Sequence, residues 1–454
     1  MTATAPAVPL PVDHLVDPEL GIVTGLHPLE PMPGLPSAYV GVTAEVADSR
    51  VHGNWPSDRV SLGTTFGDPA GARIAAIGEA VERYCGNHVP DGLLRGTAAE
   101  LAAQGHRLLG PEDLRFFADW QHARPGFPFA RFTDDVEISW VTGHGDGGQG
   151  DDGPVLVPAS WAHLNWRTGS RRSDPWLHHV NYAGIATGQG LADATRRGLL
   201  ELVERDALSL WWHLDLPAAG IAVESVPGLA EHLAETRLEA HLLALPSWFG
   251  VPVVAAVVVD AETGIVAGGF SAKLDPAETA RKAVLEAIHS WVFTQGLLEP
   301  DGWVHDAIAA GILSAGLYLP HRPDRDYLAV TGPQQERVRD LGAQAQVWLD
   351  PEVQRRLLPR FTAPPRTVGV DDLPTQTEPG LRAALAEAGH EVVVCDLTTP
   401  DVALTPLRVA RVCARGLVPN APAAFPYYGL PRWTEVAGRP PTPENLLLLP
   451  PPSL

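Results

Sequence analysis

The chain has very little lysine and very little cysteine, and each shortage excludes a common kind of site. Only two of its 33 basic residues are lysines, Lys273 and Lys282. A phosphate-binding loop of the form GxxxxGK[ST] is therefore excluded, and any nucleotide must be held without a P-loop lysine. The three cysteines, Cys85, Cys395 and Cys413, form no CxxC pair, which argues against a disulfide framework or a zinc knuckle. We expect them to be reduced and buried.

Long apolar runs, targeting signals and basic stripes are also missing. The longest apolar run, VPVVAAVVV at 251–259, is far too short to span a bilayer, and its β-branched residues predict a buried strand. The N-terminus lacks the basic and apolar regions of a signal peptide. A net charge of −21 without an arginine-dense stripe argues against a nucleic-acid surface. The sequence predicts a soluble, cytoplasmic protein that binds neither membrane nor nucleic acid.

Several familiar catalytic motifs are absent or stand in the wrong context. No HExxH metal motif and no GxSxG nucleophile motif occurs. A literal GxGxxG begins at Gly145, but a strand pattern follows it, so no helix N-terminus would receive a pyrophosphate. We interpret 143–153 as the loop of a hairpin formed by VEISWVTG and VLVPASWA. His178, His179 and His213 are expected to be hydrogen-bonded core residues rather than metal ligands.

One helix pattern, in contrast, occurs three times. The three segments are DPAGARIAAIGEAVERY (68–84), GLADATRRGLLELVERD (190–206) and DPAETARKAVLEAIHSW (275–291). Their twelfth residues are glutamates, namely Glu79, Glu201 and Glu286. The first two segments continue with a second glutamate and an arginine, namely Glu82, Arg83, Glu204 and Arg205. Residues three and four apart share a helix face, so each ExxER unit presents two carboxylates and a guanidinium on one stripe.

The repetition favours a site over a solvated ion pair. A single ExxER is best explained as an exposed Glu–Arg pair, worth about 0.3–0.5 kcal/mol. Two copies and a related third helix indicate repeated structural units. The first helix is otherwise small and apolar, which implies burial, and buried carboxylates must be paired or must coordinate a cation. The sequence thus predicts a site for magnesium and a polyphosphate. His289 occupies the place of Glu82 and Glu204 and is a candidate for the same site.

The order of elements predicts an α/β fold with mixed sheets. Residues 1–36 are proline-rich and predict an extended arm, and a strand pattern starts at Ala38. We interpret SLGTTFGD as a loop before the first repeat helix. The third repeat consists of two strands and a helix, and residues 365–435 predict a helix followed by two strands. The tail, RPPTPENLLLLPPPSL, is typical of a disordered end by composition alone.

These motifs resemble the YcaO domain. The pieces that carry the resemblance are GEAVERYCG, GIATGQGLADATRRGLLELVERDA, GGFSAKLDPAETARKAVLEA and RGLVPNAPAAFPYYGLPRW, in that order. The resemblance implies an N-terminal arm over 1–37, a catalytic domain over 38–435 and a tail over 436–454. It implies a YcaO-type fold in which the three repeated helices converge on a nucleotide site, and an ATP- and Mg²⁺-dependent enzyme that acts on a peptide backbone amide.

The resemblance also assigns the site residues. It implies that Mg²⁺ is bound by Glu79, Glu201 and Glu286. It implies that the nucleotide and metal shell is completed by Glu82, Arg83, Glu204, Arg205, Lys282 and His289. The chain departs from the family pattern in having Gly63-Thr64-Thr65-Phe66-Gly67 where Gly-Lys-Gly is frequent, and in having Ala75, Ala183 and His289 where serine, asparagine and glutamine are frequent. These departures leave open a catalytically altered or partner-dependent member.

The resemblance extends to the tail and to partner proteins. Family cyclodehydratases often end in a proline-rich tail that reaches the active site, which would bring the carboxylate of Leu454 there. A leader-peptide-binding domain related to the E1-like (ThiF-like) fold is expected on a separate partner, because no room for it exists before Ala38. The other expected partners are the precursor peptide and, in azole formation, a flavin-dependent azoline dehydrogenase; a homodimer is also compatible.

Three functions remain open from the sequence. The first is an azoline-forming cyclodehydratase that modifies Cys, Ser or Thr residues of a ribosomally made precursor, as in thiazole/oxazole-modified or thiopeptide antibiotic biosynthesis. The second is a YcaO enzyme that makes a thioamide or a macrocyclic amidine with the same ATP chemistry. The third is a non-catalytic scaffold that retains only the fold. The intact glutamates argue against the scaffold, and the proline-rich tail favours cyclodehydration.

Overall fold

The computed structural model describes residues 9–48, 59–146, 153–164, 166–167 and 169–453. Its α-helices are α1 (Pro69–Asn87), α2 (Ala98–Ala103), α3 (Asp119–His122), α4 (Ala159–Ala162), α5 (Leu191–His213), α6 (Leu229–His232), α7 (Pro276–Gln295), α8 (Trp303–Ala309), α9 (Leu328–Thr331), α10 (Leu341–Val347), α11 (Pro351–Leu357), α12 (Pro359–Thr362), α13 (Glu378–Glu387) and α14 (Arg432–Ala437). Its strands are β1 (Val23–Pro28), β2 (Tyr39–Val46), β3 (Val60–Phe66), β4 (Leu94–Gly96), β5 (Arg107–Leu108), β6 (Ile138–Gly145), β7 (Pro154–Pro158), β8 (Ile185–Gln189), β9 (Ala219–Ile221), β10 (Glu239–Ala244), β11 (Val253–Asp260), β12 (Ile265–Ala272), β13 (Thr367–Val368), β14 (Val392–Asp396) and β15 (Leu407–Ala414).

The strands of the described residues form three sheets. The first is three-stranded, in the order β1-β2-β3; the second is five-stranded, in the order β12-β11-β10-β9-β13. The third has seven strands, in the order β5-β7-β6-β14-β15-β8, with β4 paired to β6. Most pairs are antiparallel, but β13 runs parallel to β9 and β5 parallel to β7. The predicted α/β fold with mixed sheets is therefore confirmed.

Each repeat helix packs on a strand of a different sheet. We name these pairs the first unit (β3 and α1), the second unit (β8 and α5) and the third unit (β12 and α7). A glycine in each strand allows the close approach: Gly63, Gly188 and Gly269. A Cβ on any of them would overlap with backbone atoms of the helix that packs on it. The three predicted helices are confirmed, and their glutamates are held close to the strands.

Local sequence explains where these helices begin. The side chain of Asp68 accepts a hydrogen bond from Gly71 N (2.9 Å), and that of Asp275 accepts one from Glu278 N (2.7 Å). Both caps precede a proline at the first helical position, where its missing N–H costs nothing. The second unit differs, because α5 starts after Gly190 at φ 85°, a conformation that favours glycine.

Two predictions near the N-terminus are wrong. The predicted extended arm over 1–36 contains β1, which pairs antiparallel with β2, and Ile22 and Val23 are buried. The segment SLGTTFGD, interpreted as a loop, is mostly β3. These strands could not be recognised from the sequence, because prolines stand around β1 and glycines around β3. Both strands form only by pairing with β2, which lies between them. The boundaries at 38 and 435 stay a prediction, and residues 1–8 lie outside the described part.

Four other predictions agree with the structure. The hairpin exists as β6 and β7, although residues 147–152 of its tip lie outside the described residues. The strand of 251–259 is β11, all but one of whose residues are buried. The final helix and two strands are α13, β14 and β15. All three cysteines are free and buried.

The C-terminal segment is packed into the protein up to Ser453. Trp212 Nε1 donates to Leu449 O (2.6 Å), and Trp348 Nε1 donates to Pro450 O (2.9 Å). His213 and Leu447 exchange two hydrogen bonds, both with the backbone of Leu447. Composition alone predicted a disordered end, and the reason for the difference is that two indole N–H groups satisfy backbone carbonyls of the tail.

Candidate active site

The first and second units hold their first glutamate in the same way. Glu79 Oε2 accepts from Leu62 N (3.3 Å), and Glu201 Oε2 accepts from Gly184 N (3.1 Å), each 17 residues earlier in the chain. The other oxygen of each glutamate lies 3.4 Å from the arginine one turn later, Arg83 or Arg205. The repeated sequence therefore produces a repeated carboxylate geometry.

The second glutamate of each ExxER unit is more deeply buried. The side chains of Glu82 and Glu204 are only 17% and 8% exposed. Glu82 lies 3.7 Å from Arg83, and Glu204 lies 3.4 Å from Arg205. Burial, opposed in each case by the neighbouring arginine, raises the pKa of both carboxyl groups to about 8. At neutral pH these two groups therefore hold their protons unless a cation is added.

The charges show that the three helices meet. The carboxylates of Glu201 and Glu79 add to the raised pKa of Glu82. Those of Glu286 and Glu201 add to the raised pKa of Glu204. Such effects weaken with distance. In addition, α1 packs against β8, α5 against β12 and α7 against β3, so the three helices share one site.

The third unit contributes a different set of groups to the same site. Glu286 lies 3.4 Å from Lys282 Nζ, one turn earlier. Burial lowers the pKa of His289, while the charges of Glu79 and Glu286 oppose this shift and the charge of Lys282 adds to it. His289 is therefore a neutral neighbour of two carboxylates in the ligand-free protein.

Glu204 connects the second unit to the third. Its Oε2 accepts from Ala272 N at the end of β12 (3.0 Å). Its Oε1 is buried and, within the described part of the chain, accepts no hydrogen bond. A buried carboxylate oxygen that lies 3.4 Å from Arg205 Nε but accepts no hydrogen bond from it is a favourable position for a metal ion.

The donor chemistry fits magnesium. Mg²⁺ prefers carboxylate oxygens and keeps contacts to phosphates, and the predicted ligands Glu79, Glu201 and Glu286 come from three converging helices. Among the described residues, no group of three or more His, Cys, Asp or Glu side chains already has the spacing of a metal site. Each of the three carboxylates instead contacts a basic side chain. A cation would have to draw them together, and the assignment of individual ligands stays a prediction.

Two basic residues near the site were not found from the sequence. The positive charge of Lys273 lowers the pKa of Glu204, and that of Arg411 lowers the pKa of Glu82. Lys273 directly follows β12, and its place after the strand of a repeat unit was a usable signal. Arg411 is a fully buried arginine in the apolar strand β15, which is also unusual enough to be noticed.

The histidines expected to be structural are satisfied by hydrogen bonds. His178 contacts Ser160 Oγ and the carbonyl of His179, and His179 contacts the carbonyl of Val180. His213 contacts Tyr428 OH as well as the tail. Burial lowers the pKa of all three to about 4. They are neutral core residues.

The tail approaches the third unit along the outer edge of β12. Gly268 N donates to Pro452 O, and a Cβ at Gly268 would overlap with Pro452. The same strand ends at Ala272, whose N–H binds Glu204. Gln344 Nε2 also donates to Ser453 O (3.3 Å). Leu454, predicted to supply a catalytic carboxylate, lies outside the described residues.

Comparison with protein families identifies the chain. A family model described as YcaO cyclodehydratase, ATP- and Mg²⁺-binding, matches residues 66–418. The chain belongs to the YcaO family. ATP and Mg²⁺, predicted from the resemblance, are confirmed as the cofactors of that family. An uncharacterised protein from Methanothermobacter thermautotrophicus is 26% identical over 231 residues, which is 48% of this chain and 54% of that protein.

Solved YcaO-type structures share the fold. A heterocyclase in complex with substrate and cofactor superposes with a TM-score of 0.67 at 21% identity, covering 97% of this chain and 56% of the heterocyclase. A YcaO protein from Methanopyrus kandleri bound with AMPPCP and Mg²⁺ gives 0.53 at 22% identity, covering 87% and 86%. A chain of the E. coli microcin synthetase McbBCD complex gives 0.55 at 12% identity, covering 87% and 88%. The chain thus spans about half the length of the archaeal relative (54%) and of the heterocyclase (56%).

Within the described ranges, no helix is both long enough and apolar enough to cross a bilayer.

Proposed function

We propose that this YcaO protein is an ATP-dependent peptide cyclodehydratase. The observation that carries the proposal is the convergence of α1, α5 and α7, each of which also packs on the strand of another unit, so that the carboxylates of Glu79, Glu201 and Glu286 act on the pKa of Glu82 or of Glu204. The family to which the chain belongs binds ATP and Mg²⁺. A heterocyclase bound to substrate and cofactor shares nearly the whole fold of the chain. A scaffold that had lost nucleotide binding would have no reason to keep buried carboxylates at this cost.

The proposed reaction converts a Cys, Ser or Thr residue of a precursor peptide into an azoline. The side-chain sulfur or oxygen attacks the preceding amide carbon and loses its proton. The amide oxygen takes the γ-phosphoryl group of ATP, and it then leaves as phosphate while the amide nitrogen loses its proton and the C=N bond forms. The products are ADP, phosphate and a peptide that has lost one water per ring.

Each residue of the site has a proposed task in this reaction. Glu79, Glu201 and Glu286 would hold Mg²⁺, which when bound neutralises phosphate charge during the transfer. Arg83 and Arg205 would bind phosphate oxygens, as guanidinium groups do in pairs of parallel hydrogen bonds. Glu82, Glu204, Lys282 and His289 would complete the nucleotide and metal shell. Residues 38–435 would form the catalytic domain, between the segment 1–37 and the tail 436–454.

The tail is proposed to supply a proton acceptor to the same reaction. Pro452 binds the β12 edge at Gly268, and Glu204 binds that strand at Ala272. The proposed role of the Leu454 carboxylate is to take up a proton from the attacking residue or the amide. The contact at Gly268 supports this placement.

Substrate recognition is proposed to depend on a separate leader-binding protein related to the E1-like fold. Binding energy gathered on a leader sequence, away from the reacting residues, would hold the core peptide at the site. Such an interface would bury about 800 Å² on this chain if the complex is stable. A flavin-dependent dehydrogenase acting after it would oxidise azolines to azoles.

A reconstitution with mass spectrometry tests the proposed function. The chain is incubated with a candidate precursor and Mg·ATP, with and without the proposed leader-binding partner protein. We expect loss of water from the peptide, with one phosphate released per ring, at a much higher rate when the partner is present. Replacement of oxygen by sulfur would instead indicate a thioamide-forming enzyme. Modification at the full rate by the chain alone would disprove the proposal that a separate protein recognises the leader sequence.

A further inference from the structure

Arg411 is a buried charge whose three hydrogen-bond partners are all neutral. It lies in β15 and is 0% exposed. Its guanidinium donates to Ala162 O (2.9 Å), Ala183 O (2.7 Å) and Asn181 O (2.8 Å). Removing a cation from water costs several kcal/mol even after relaxation, and neutral carbonyls offset only part of this. An arginine kept in such a place needs a further reason.

The hydrogen bond to Ala183 leads directly to a predicted metal ligand. The carbonyl of Ala183 and the N–H of Gly184 belong to one peptide group. That N–H donates to Glu201 Oε2 at 3.1 Å. Arg411 therefore fixes the plane of the amide that orients Glu201, and its charge polarises this amide so that the N–H becomes a stronger donor.

The surrounding turn is built around this amide. Asn181 Oδ1 accepts from Ala183 N (3.0 Å), and Val412 N donates to Gly184 O (2.7 Å). Gly184 has φ 86°, and a Cβ there would overlap with the carbonyl of Val412. The backbone is thus held in a conformation that regular strand pairing does not provide.

In the first unit, the amide that donates to the glutamate is held in place without a buried charge. Glu79 receives its hydrogen bond from Leu62 N, within β3. Ser61 and Leu62 are held by antiparallel pairing with Ala44 and Thr43 of β2. The corresponding amide of the second unit lies just before β8 begins, at Gly184, so the regular ladder does not fix it and Arg411 takes over that role.

We infer that Arg411 is a positioning residue for Glu201, acting through the Ala183–Gly184 peptide group, and that it tunes the affinity of the site for Mg²⁺ and nucleotide. The inference rests on the proposed role of Glu201 as a magnesium ligand. The charge of Arg411 also lowers the pKa of Glu82, so it acts on both glutamate helices that carry an ExxER unit.

The test compares Arg411→Met and Arg411→Lys with Arg408→Met as the matched control. Arg408 lies on the same strand and also donates to backbone carbonyls, those of Thr405 and Leu407. Binding of AMPPCP is titrated against Mg²⁺ by calorimetry, and folding is followed by circular dichroism and thermal melting. Losing a group that orients a metal ligand typically lowers metal affinity about tenfold to a hundredfold.

We expect Arg411→Met to need at least about tenfold more Mg²⁺ for half-maximal AMPPCP binding. The Mg²⁺ concentration needed by Arg411→Lys should lie between those of Arg411→Met and the wild type, and that needed by Arg408→Met should equal the wild-type value. The inference would be overturned if folded Arg411→Met showed an unchanged Mg²⁺ dependence of AMPPCP binding. It would also be overturned if Arg411→Met and Arg411→Lys needed the same Mg²⁺ concentration and had lost the same thermal stability. If Arg411→Met does not fold, Arg411→Lys decides by the same titration. Failure of both to fold would show a purely structural role and also overturn it. If the wild type itself binds no Mg·AMPPCP, or Glu201→Gln binds it normally, the proposed function fails instead.

Discussion

The first two units and the third unit start from nearly the same sequence but serve the site differently. In the first two units, the glutamates Glu79 and Glu201 have equivalent backbone and arginine contacts. In the third unit, His289 and Ser290 replace the second glutamate and the arginine. The free edge of its strand β12 is instead contacted by Glu204 and by the tail residue Pro452.

The difference shows how a repeated scaffold becomes an asymmetric site. Two units supply carboxylates with their own arginines, which suits the binding of a cation and phosphates together. The third unit supplies one carboxylate and an edge that receives groups from elsewhere in the chain. We infer that the first two units supply most of the nucleotide and metal shell, and that the third, besides its contribution to that shell, faces the peptide and the tail.

The largest effect is expected from removing the first glutamate of each unit. Glu79→Gln, Glu201→Gln and Glu286→Gln should each lower ATP turnover by about a hundredfold or more, because each change removes a charge that binds the cation. Circular dichroism should show an intact fold. Glu278→Gln, in the exposed first turn of α7, is the matched control. ATP turnover at the wild-type rate in any of the three variants would show that the first glutamates of the three units are not equally required.

A change at the tail tests whether the third unit faces the chemistry. Extending the chain beyond Leu454 with a purification tag should impair cyclisation far more than the same tag at the N-terminus, because a terminal carboxylate at the site would be lost. Deleting 450–454 should act in the same way. ATP binding should be less affected than cyclisation. Equal rates of cyclisation by both tagged proteins would show that the tail has only a structural role.

The strand glycines test how tightly each unit must pack. Gly269→Ala should lower the free energy of unfolding by about 1–3 kcal/mol or more, because the new methyl group would overlap with the backbone of α7. Gly63→Ala and Gly188→Ala should behave alike. Gly78→Ala is the control, since nothing lies near its Cβ position, and it should stabilise α1 by up to about 1 kcal/mol. Chemical denaturation measures all four, and a neutral Gly269→Ala would show that the third helix is not held closely.

A smaller effect should appear in the pH dependence of stability. The pKa of Glu82 and of Glu204 is about 8 in the folded protein, above the usual value near 4.5. The native state then binds more protons than the unfolded state between these values, so stability should fall as pH rises through 7 to 8, on the order of 1 kcal/mol per pH unit and group. Buried histidines such as His213 have lowered pKa values and are already neutral in this range.

Thermal melting of the ligand-free protein at pH 6.8 and pH 8.2 measures this slope. Glu82→Gln and Glu204→Gln should each reduce it, while Glu278→Gln should leave it unchanged. A slope that is the same in all three variants would show that the two carboxylates are not the titrating groups. Unequal reductions by Glu82→Gln and Glu204→Gln would sharpen the distinction between the first and second units.

The sequence predicted the parts of this structure that depend on local periodicity. Helices α1, α5 and α7 and the shared face of their glutamates follow from a period of 3.6 residues and from the proline or glycine at their start. Strands β1 and β3 were missed, because their pairing with β2 is a long-range property that local composition does not reveal. An arginine in the apolar strand β15 could have been noticed, but the role of Arg411 could not be predicted, since its partners lie more than 200 residues away in the chain.

The tryptophan-bound tail has a consequence for biosynthesis of the protein. Leu449 and Ser453 are buried, and Trp212 and Trp348 bind the tail between them. The part of the core around Trp212 of the second unit and Trp348 can therefore form only after residues near 450 have been synthesised and have returned to these tryptophans. A chain interrupted by a late frameshift or nonsense mutation would leave two large aromatic side chains uncovered, which favours aggregation or degradation. Folding of this part of the core thus depends on synthesis of the tail residues.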